Sequence, residues 1–303
     1  MTRRDAVLNL ISNKKSSNYI PAAFFMHFES AYHQGQAAID KHLEFFRYTG
    51  MDFVKIQYEQ TLPPSNQIRK PEDWPWAPLF PKEFFDAPVE VAQGLVKAAG
   101  KEALVIMTLY SPFMWARHLA GDRNLADHLR ENPGMVSKGL EIMTENVLSL
   151  ARRCKKAGVD GFYASSQGGE AFRFAGTDIF SQYIKPTDLA VWEEIHSCPF
   201  NILHVCDYHG TYDELKPFLD YPGQVVNCSL KLSQRSLSTA EISKLFNRPY
   251  MGGLDRSEVI ATGNSAEIRR TVEDILESAP EKFILAADCT VPAETPWENL
   301  KPA

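Results

Sequence analysis

Eight short apolar runs, each followed by a polar or helical stretch, punctuate the chain from end to end. They are Ala22–Phe28, Phe53–Tyr58, Ala103–Tyr110, Gly161–Ser166, Phe200–Cys206, Gln224–Leu230, Tyr250–Asp255 and Phe283–Cys289. Most are nearly continuous in apolar character and do not alternate with polar residues, which is the signature of strands buried on both faces of a parallel sheet. Strand–helix alternation with eight strands predicts an α/β chain closed into a (β/α)8 TIM barrel, read as one domain over residues 1–303. An open doubly wound sheet is the competing architecture. It is disfavoured because no G-x-G-x-x-G follows the first run and no phosphate-binding P-loop is present.

The intervening stretches predict helices over Gln36–Tyr48, Val89–Ala99, Asn124–Ala157, Asp178–His196, Tyr212–Leu219, Thr239–Phe246 and Ala266–Ser278. Pro133 and Pro186 should each break the helix that contains them. Gly158 should end a helical pattern, while Asp188 and Ser238 have the character of N-caps. Thr61–Pro88, rich in Pro, Trp and Phe, reads as a long insertion after the second strand, where a barrel would place a lid or a substrate wall. No final barrel helix follows the eighth run, so neighbouring helices or a partner subunit should cover that surface, unless the chain is a truncated version; a homodimer is the favoured expectation.

Composition narrows the function. A formal charge of −6 offers no footprint for nucleic acid. No stretch approaches the roughly 20 consecutive apolar residues of a membrane helix, and the N-terminus reads as an amphipathic helix instead of a signal peptide. Five cysteines in a chain of this size suggest reduced thiols, some of them metal-bound, and a cytoplasmic setting.

In a barrel the chemistry collects at the C-terminal ends of the strands. Those ends carry His27, Glu29, Gln57, Glu59, Tyr110, Ser165, Ser166, Gln167, His204, Cys206, Asp207, Cys228, Asp255, Asp288 and Cys289. In His204-Val205-Cys206 the His and Cys stand at i and i+2, so their side chains share one face of a strand. Cys289 follows 83 positions after Cys206, at the end of a strand that a closed barrel sets across the mouth. One His and two thiolates make a Cys2His set, a catalytic zinc pattern with a fourth position open. The same three residues also suit plain core packing, so spacing alone leaves both readings standing.

The segments Asn201-Ile-Leu-His-Val-Cys-Asp207, Met251-Gly-Gly-Leu-Asp255 and Ile284-Leu-Ala-Ala-Asp-Cys-Thr-Val-Pro-Ala-Glu-Thr-Pro-Trp-Glu-Asn-Leu300, in this order and spacing, resemble the uroporphyrinogen decarboxylase superfamily. The resemblance runs from about Arg4 to the C-terminus and is strongest after Gly161. It implies the same (β/α)8 fold. True uroporphyrinogen decarboxylases carry Arg-Gln-Ala-Gly-Arg-Tyr after the first strand, where arginines hold the substrate's carboxylates. This chain has Met26-His-Phe-Glu-Ser-Ala-Tyr-His33 there and no arginine before Arg47.

The chain is more similar to the cobalamin-dependent methyltransferases of the superfamily, whose zinc site matches His204, Cys206 and Cys289. That likeness implies zinc as cofactor, a methyl-corrinoid as bound substrate or on a partner corrinoid protein, and a small-molecule thiol acceptor. It departs from the pattern at Asp207, where the family commonly has Gly, and at Asn227-Cys228-Ser229, which replaces an Asp-containing segment. Cys228 is read as a packing residue. Glu59, near the position of the decarboxylases' catalytic Asp, and Asp255 are the candidate catalytic carboxylates. His27, Gln57, Gln167 and Asp207 are candidate substrate contacts, and Lys55 shares a strand face with Gln57 and Glu59. Two other functions remain: a decarboxylase acting on a tetrapyrrole or smaller acid, and a silent barrel that binds a corrinoid or tetrapyrrole.

Overall fold

The structure, a computed structural model, describes residues 1–12, 19–60, 62 and 67–301. Its elements run α1 (Arg3–Ile11), α2 (Gly35–Thr49), β1 (Phe53–Ile56), α3 (Asp86–Ala99), β2 (Leu104–Tyr110), α4 (Pro112–Ala120), α5 (Asp122–Glu131) and α6 (Pro133–Ala157). They continue with β3 (Gly161–Ser166), α7 (Lys185–Ile195), β4 (Ile202–Val205), β5 (Val225–Cys228), α8 (Thr239–Phe246), β6 (Tyr250–Leu254), α9 (Val259–Thr262), α10 (Ser265–Glu277) and β7 (Phe283–Ala287). The seven strands form one parallel sheet in sequence order, β1 to β7.

Among the described residues there are seven strands, not eight, which corrects the expectation for Ala22–Phe28. That segment is extended but makes only isolated parallel bridges to the β7 side, Ala22 to Leu285 and Met26 to Val291. On the β1 side a regular ladder is replaced by other acceptors. Asp52 takes the Ala22 N–H at 2.8 Å, and the Met51 sulfur takes that of Phe24 at 3.4 Å. Toward β7 the segment keeps backbone bonds, Ala23 N–H to Leu285 O at 3.0 Å and Val291 N–H to Phe25 O at 2.8 Å, while side-chain acceptors interrupt the ladder toward β1.

The sheet curls around a small inner core. Phe25, Phe53, Ile106, Tyr163, Phe200, Ile202, Val225, Met251 and Ile284 form one buried cluster with Val7 and Leu10 of α1. Residues that open the strands, such as Phe53, Leu104 and Val225, share this cluster with α1, so α1 seals the N-terminal end of the sheet. Arg4 fastens it there through two hydrogen bonds to the Asp160 carboxylate, at 2.8 and 2.5 Å. The opposite end, where the strands finish, is left for chemistry.

Local signals hold at most helix ends. Ser238 caps α8 with Glu241 in a capping box, and Gly158 ends α6 in the left-handed conformation at φ 94°. Pro133 stands in the first turn of α6, with Asn132 as its N-cap, and so divides α5 from α6. Two readings are corrected. Tyr212–Leu219 yields only a 3-10 turn at Lys216–Phe218. Asp188 lies inside α7, buried, where it accepts hydrogen bonds from Ser166 and Tyr221.

Thr61 and residues 63–66 of the Thr61–Pro88 insertion lie outside the described residues. The rest forms 3-10 turns at Pro71–Trp76 and Lys82–Phe85. Trp74 is fully buried, and its Nε1 donates to His128 Nδ1 at 3.1 Å. A Cβ at Gly139 of α6 would sit 2.4 Å from the Trp74 ring, so glycine there permits the close approach. After β7 the described chain finishes with a 3-10 turn at Trp297–Leu300, and residues 302–303 lie outside the description.

Candidate functional site

β4 and β7 carry the centre of the site. His204 is in register with Ser165 of β3 and Asn227 of β5, deep in the sheet. Cys206 follows the strand end, its N–H on Ser166 O at 3.0 Å and its C=O accepting from the Tyr212 hydroxyl at 2.9 Å. Cys289 stands two residues beyond β7. The i, i+2 spacing in β4 and the position of β7 bring the three side chains together. One ligand atom from each of His204, Cys206 and Cys289 lies within 4.8 Å of the others, and all three residues are buried.

Cys289 Sγ is 3.4 Å from His204 Nε2, and Gln167 Nε2 donates to Cys206 Sγ at 3.2 Å. The Tyr163 ring stacks on the His204 imidazole with 4.7 Å between centroids, fixing its plane. The two thiols are coupled. The neighbouring Cys289 thiol holds Cys206 below the ordinary thiol value against the opposing effect of burial, and the Tyr208 N–H and Gln167 act in the same direction. The adjacent Cys206 and burial hold Cys289 well above it.

These residues wall a cavity of about 200 Å³ at the C-terminal ends of the strands. His27, Gln57 and Gln167 of the expected substrate contacts line it, together with Lys55. Lys55 is buried, donates to Gln57 Oε1 at 2.5 Å and Thr108 Oγ1 at 3.0 Å, and lies 4.6 and 4.7 Å from the centroids of the Phe25 and Tyr163 rings. Burial pushes its amine down to about 7, although the charges of Cys289, Glu59 and Cys206 favour the ammonium.

Three expected site residues stand outside this wall. Glu59 is mostly buried behind His27, bonding His27 Nδ1 at 2.8 Å and lying 3.9 Å from His33 Nε2. Burial raises its acid strength threshold, but the His27 hydrogen bond and the nearby imidazoles outweigh that and hold its pKa below the usual value. Asp207 pairs with Arg256 at 2.8 Å, and the same guanidinium reaches Asp288 at 2.9 Å. Asp255 pairs with Lys231 at 2.8 Å and accepts from Ser257 N, outside the cavity. Cys228 is buried and its thiol is pushed up by burial, as a packing residue requires.

The cavity is also lined by Tyr110, Met114, Arg117, His118, Tyr208 and His209, most of which carried no functional reading from sequence. A signal for part of this set was present. Ser111-Pro112 directly after a strand is an N-cap followed by proline in the first turn, which starts α4 at the mouth.

A buried His with two Cys, one of them biased toward thiolate, is a donor set that suits zinc, and the adjoining cavity leaves room for a further ligand. His204 Nδ1 is buried with no hydrogen-bond partner, so the imidazole is fixed by stacking while Nε2 faces the sulfurs.

A curled parallel sheet with such a centre at its strand ends defines an α/β protein of the barrel-like class. The chain belongs to the uroporphyrinogen decarboxylase (URO-D) family, whose model matches residues 50–302. It is 24% identical over 200 residues, 65% of its length, to a methylated-thiol–coenzyme M methyltransferase of Methanosarcina mazei. The chain spans about half the length of that relative, 51%. A methyltransferase structure from Methanosarcina mazei has the same fold, with a TM-score of 0.80 at 14% identity over 100% of this chain and 97% of that one. A B12-independent methionine synthase from Shewanella sp. W3-18-1, solved with selenomethionine, aligns with a TM-score of 0.54 at 12% identity, covering 93% and 92% of the two chains. The two methanogen relatives match the methyltransferase branch of the family.

Proposed function

We propose that this protein is a methyltransferase that moves a methyl group between a methyl-corrinoid and a small thiol, with zinc held by His204, Cys206 and Cys289. The observation that carries this reading is the buried His/Cys/Cys set in the wall of a cavity of about 200 Å³. Bound there, zinc supplies Lewis acidity that lowers the pKa of a coordinated thiol.

The chain's own residues do the rest. Gln167 orients the Cys206 sulfur and Tyr163 the His204 ring. Tyr110, Met114 and Tyr163 exclude water around the acceptor sulfur. His27, which lines the cavity and is paired with Glu59, takes the thiol proton and passes it to solvent. The thiolate sulfur then forms its bond to the methyl carbon as the carbon–cobalt bond of the donor breaks, the electron pair leaving with the corrinoid. The donor reaches the mouth either free or carried by a corrinoid protein.

The decarboxylase alternative is less well supported. A tetrapyrrole with many carboxylates needs several cations, and Lys55 and Arg117 are the cationic side chains in the described lining of this cavity.

The test is metal content with turnover. Protein purified without oxygen should hold about one zinc per chain, lost in Cys206→Ser, as a three-ligand catalytic site requires. It should demethylate methylcobalamin only when a small thiol is present. Cys289→His should stay folded and lose thiol activation. Absence of zinc together with absence of thiol-dependent demethylation overturns the reading, and release of coproporphyrinogen from uroporphyrinogen decides for the decarboxylase.

A further inference from the structure

Lys55 is a nucleophile in the cavity wall that the transfer of a methyl group does not use. It stands on β1, its side chain is buried, and it lines the cavity of about 200 Å³. Two Nζ hydrogens are fixed by oxygens. Gln57 Oε1 accepts one at 2.5 Å, and Gln57 is turned this way because its Nε2 faces His27 Nε2 at 2.9 Å. Thr108 Oγ1 accepts the other at 3.0 Å while donating its own proton to the Ile56 carbonyl at 2.9 Å.

A neutral amine has two hydrogens and a lone pair, and this shell uses the two hydrogens. The ammonium would carry a third, and among the described residues no oxygen receives it and no carboxylate pairs with Lys55. The rings of Phe25 and Tyr163, with centroids 4.6 and 4.7 Å from Nζ, attract the cation, and so do the charges of Cys289, Glu59 and Cys206. Burial opposes those charges more strongly and pushes the amine down to about 7. At neutral pH a large share of Lys55 is therefore free amine, whereas an ordinary lysine is free in only about one molecule in 2,500.

The surroundings of Nζ set what it can attack. Gln57, Thr108, Phe25 and Tyr163 crowd the nitrogen, and the cavity is the side left to an incoming molecule. A desolvated amine facing an enclosed space is an activated nucleophile for a carbonyl carbon. The crowding suits a carbon that carries a single substituent, which is an aldehyde.

We propose that Lys55 is a covalent site for small aldehydes, which it holds in the cavity as an imine. The Nζ lone pair forms the N–C bond as the carbonyl π pair moves to oxygen; the oxygen gains a proton and the nitrogen loses one. A second proton on that oxygen lets it leave as water while the C=N bond forms. Amine and aldehyde thus give imine and water, with no oxidant or reductant. His27, joined to Lys55 through Gln57 and paired with Glu59 at 2.8 Å, lines the same cavity and is the acid that protonates the departing oxygen.

The test treats protein purified without oxygen with propanal and sodium cyanoborohydride at pH 7 and maps the labelled sites by peptide mass spectrometry. Hydride from the cyanoborohydride adds to the imine carbon and leaves a propyl group on nitrogen. Lys55 should be labelled at least about 10-fold faster than any exposed lysine, less than the ratio of free amine because a weaker base is also a weaker nucleophile. The Met1 amine also reacts at this pH, and the mapping separates it. In Lys55→Met, whose side chain keeps the length without the nitrogen, intact-mass gain should slow to that of Met1 and the exposed lysines.

Labelling of Lys55 no faster than that of exposed lysines overturns the proposal. So does capture of the aldehyde by Cys206, seen as an aldehyde-dependent loss of titratable thiol with no propyl group on Lys55. Should Lys55→Met fail to fold, the site mapping on the unmodified protein decides alone. No step uses a metal or a methyl donor, so failure here leaves the methyltransferase reading standing, and failure of that reading leaves the imine.

Discussion

Arg173→Met tests how the site is held from behind. Arg173 and Glu170 are buried, with side chains 1% and 0% exposed. The guanidinium donates to Glu170 Oε2 at 2.8 Å through Nε and to Oε1 at 3.1 Å through Nη2, and to Asp122 at 2.5 Å. Methionine fills much of the volume but leaves the Glu170 carboxylate in the interior with only the Gly168 N–H, at 2.8 Å. Removing one partner of a buried pair costs about 3–5 kcal/mol, because the surviving charge is left without compensation. Against a typical total of about 5–15 kcal/mol, that is a large fraction of the folded margin.

The assay is urea denaturation of the single variants and of Arg173→Met combined with Glu170→Gln. A neutral amide has no charge to bury, so the double variant should recover about 2 kcal/mol of the loss, a coupling typical of contacting residues. The effect should also reach the metal centre, since Gln167, next to Gly168, is the residue that bonds Cys206. A single variant within about 1 kcal/mol of the unmodified protein, or a double variant no better than the sum of the singles, refutes the argument.

Gly161→Ala should give insoluble or strongly destabilised protein, because its Cβ would lie 1.8 Å from the Phe200 carbonyl oxygen; expression and melting temperature check this. Asp188 is pushed up to about 7 by burial, so between about pH 4 and 7 the folded state holds a proton that the unfolded state has lost. Stability should therefore fall as pH rises through that window, and Asp188→Asn should flatten the slope by up to about 1.4 kcal/mol per pH unit in denaturation series. Zinc-loaded protein should release metal as pH falls, since the sulfurs and the imidazole must be deprotonated to bind. Retention unchanged into strong acid, measured by dialysis and metal analysis, counts against thiolate ligation.

The sequence by itself determined the parallel α/β character, because strands buried on both faces need continuous apolar runs, and seven of the eight runs are strands. It also gave the same-face pair His204 and Cys206, since strand geometry fixes where i and i+2 point. Proline and glycine placed the breaks at Pro133 and Gly158 through backbone constraints that act locally. Tertiary structure decided the fate of Ala22–Phe28, whose β propensity lost to the Asp52 carboxylate and Met51 sulfur. It alone turned Asp207 toward Arg256 and Asp255 toward Lys231, pairings of charges that sequence distance does not reveal. It alone placed Arg117 in the cavity wall with its Nε buried and unpartnered among the described residues, because the shell around a side chain is assembled from distant segments and no run of residues encodes it.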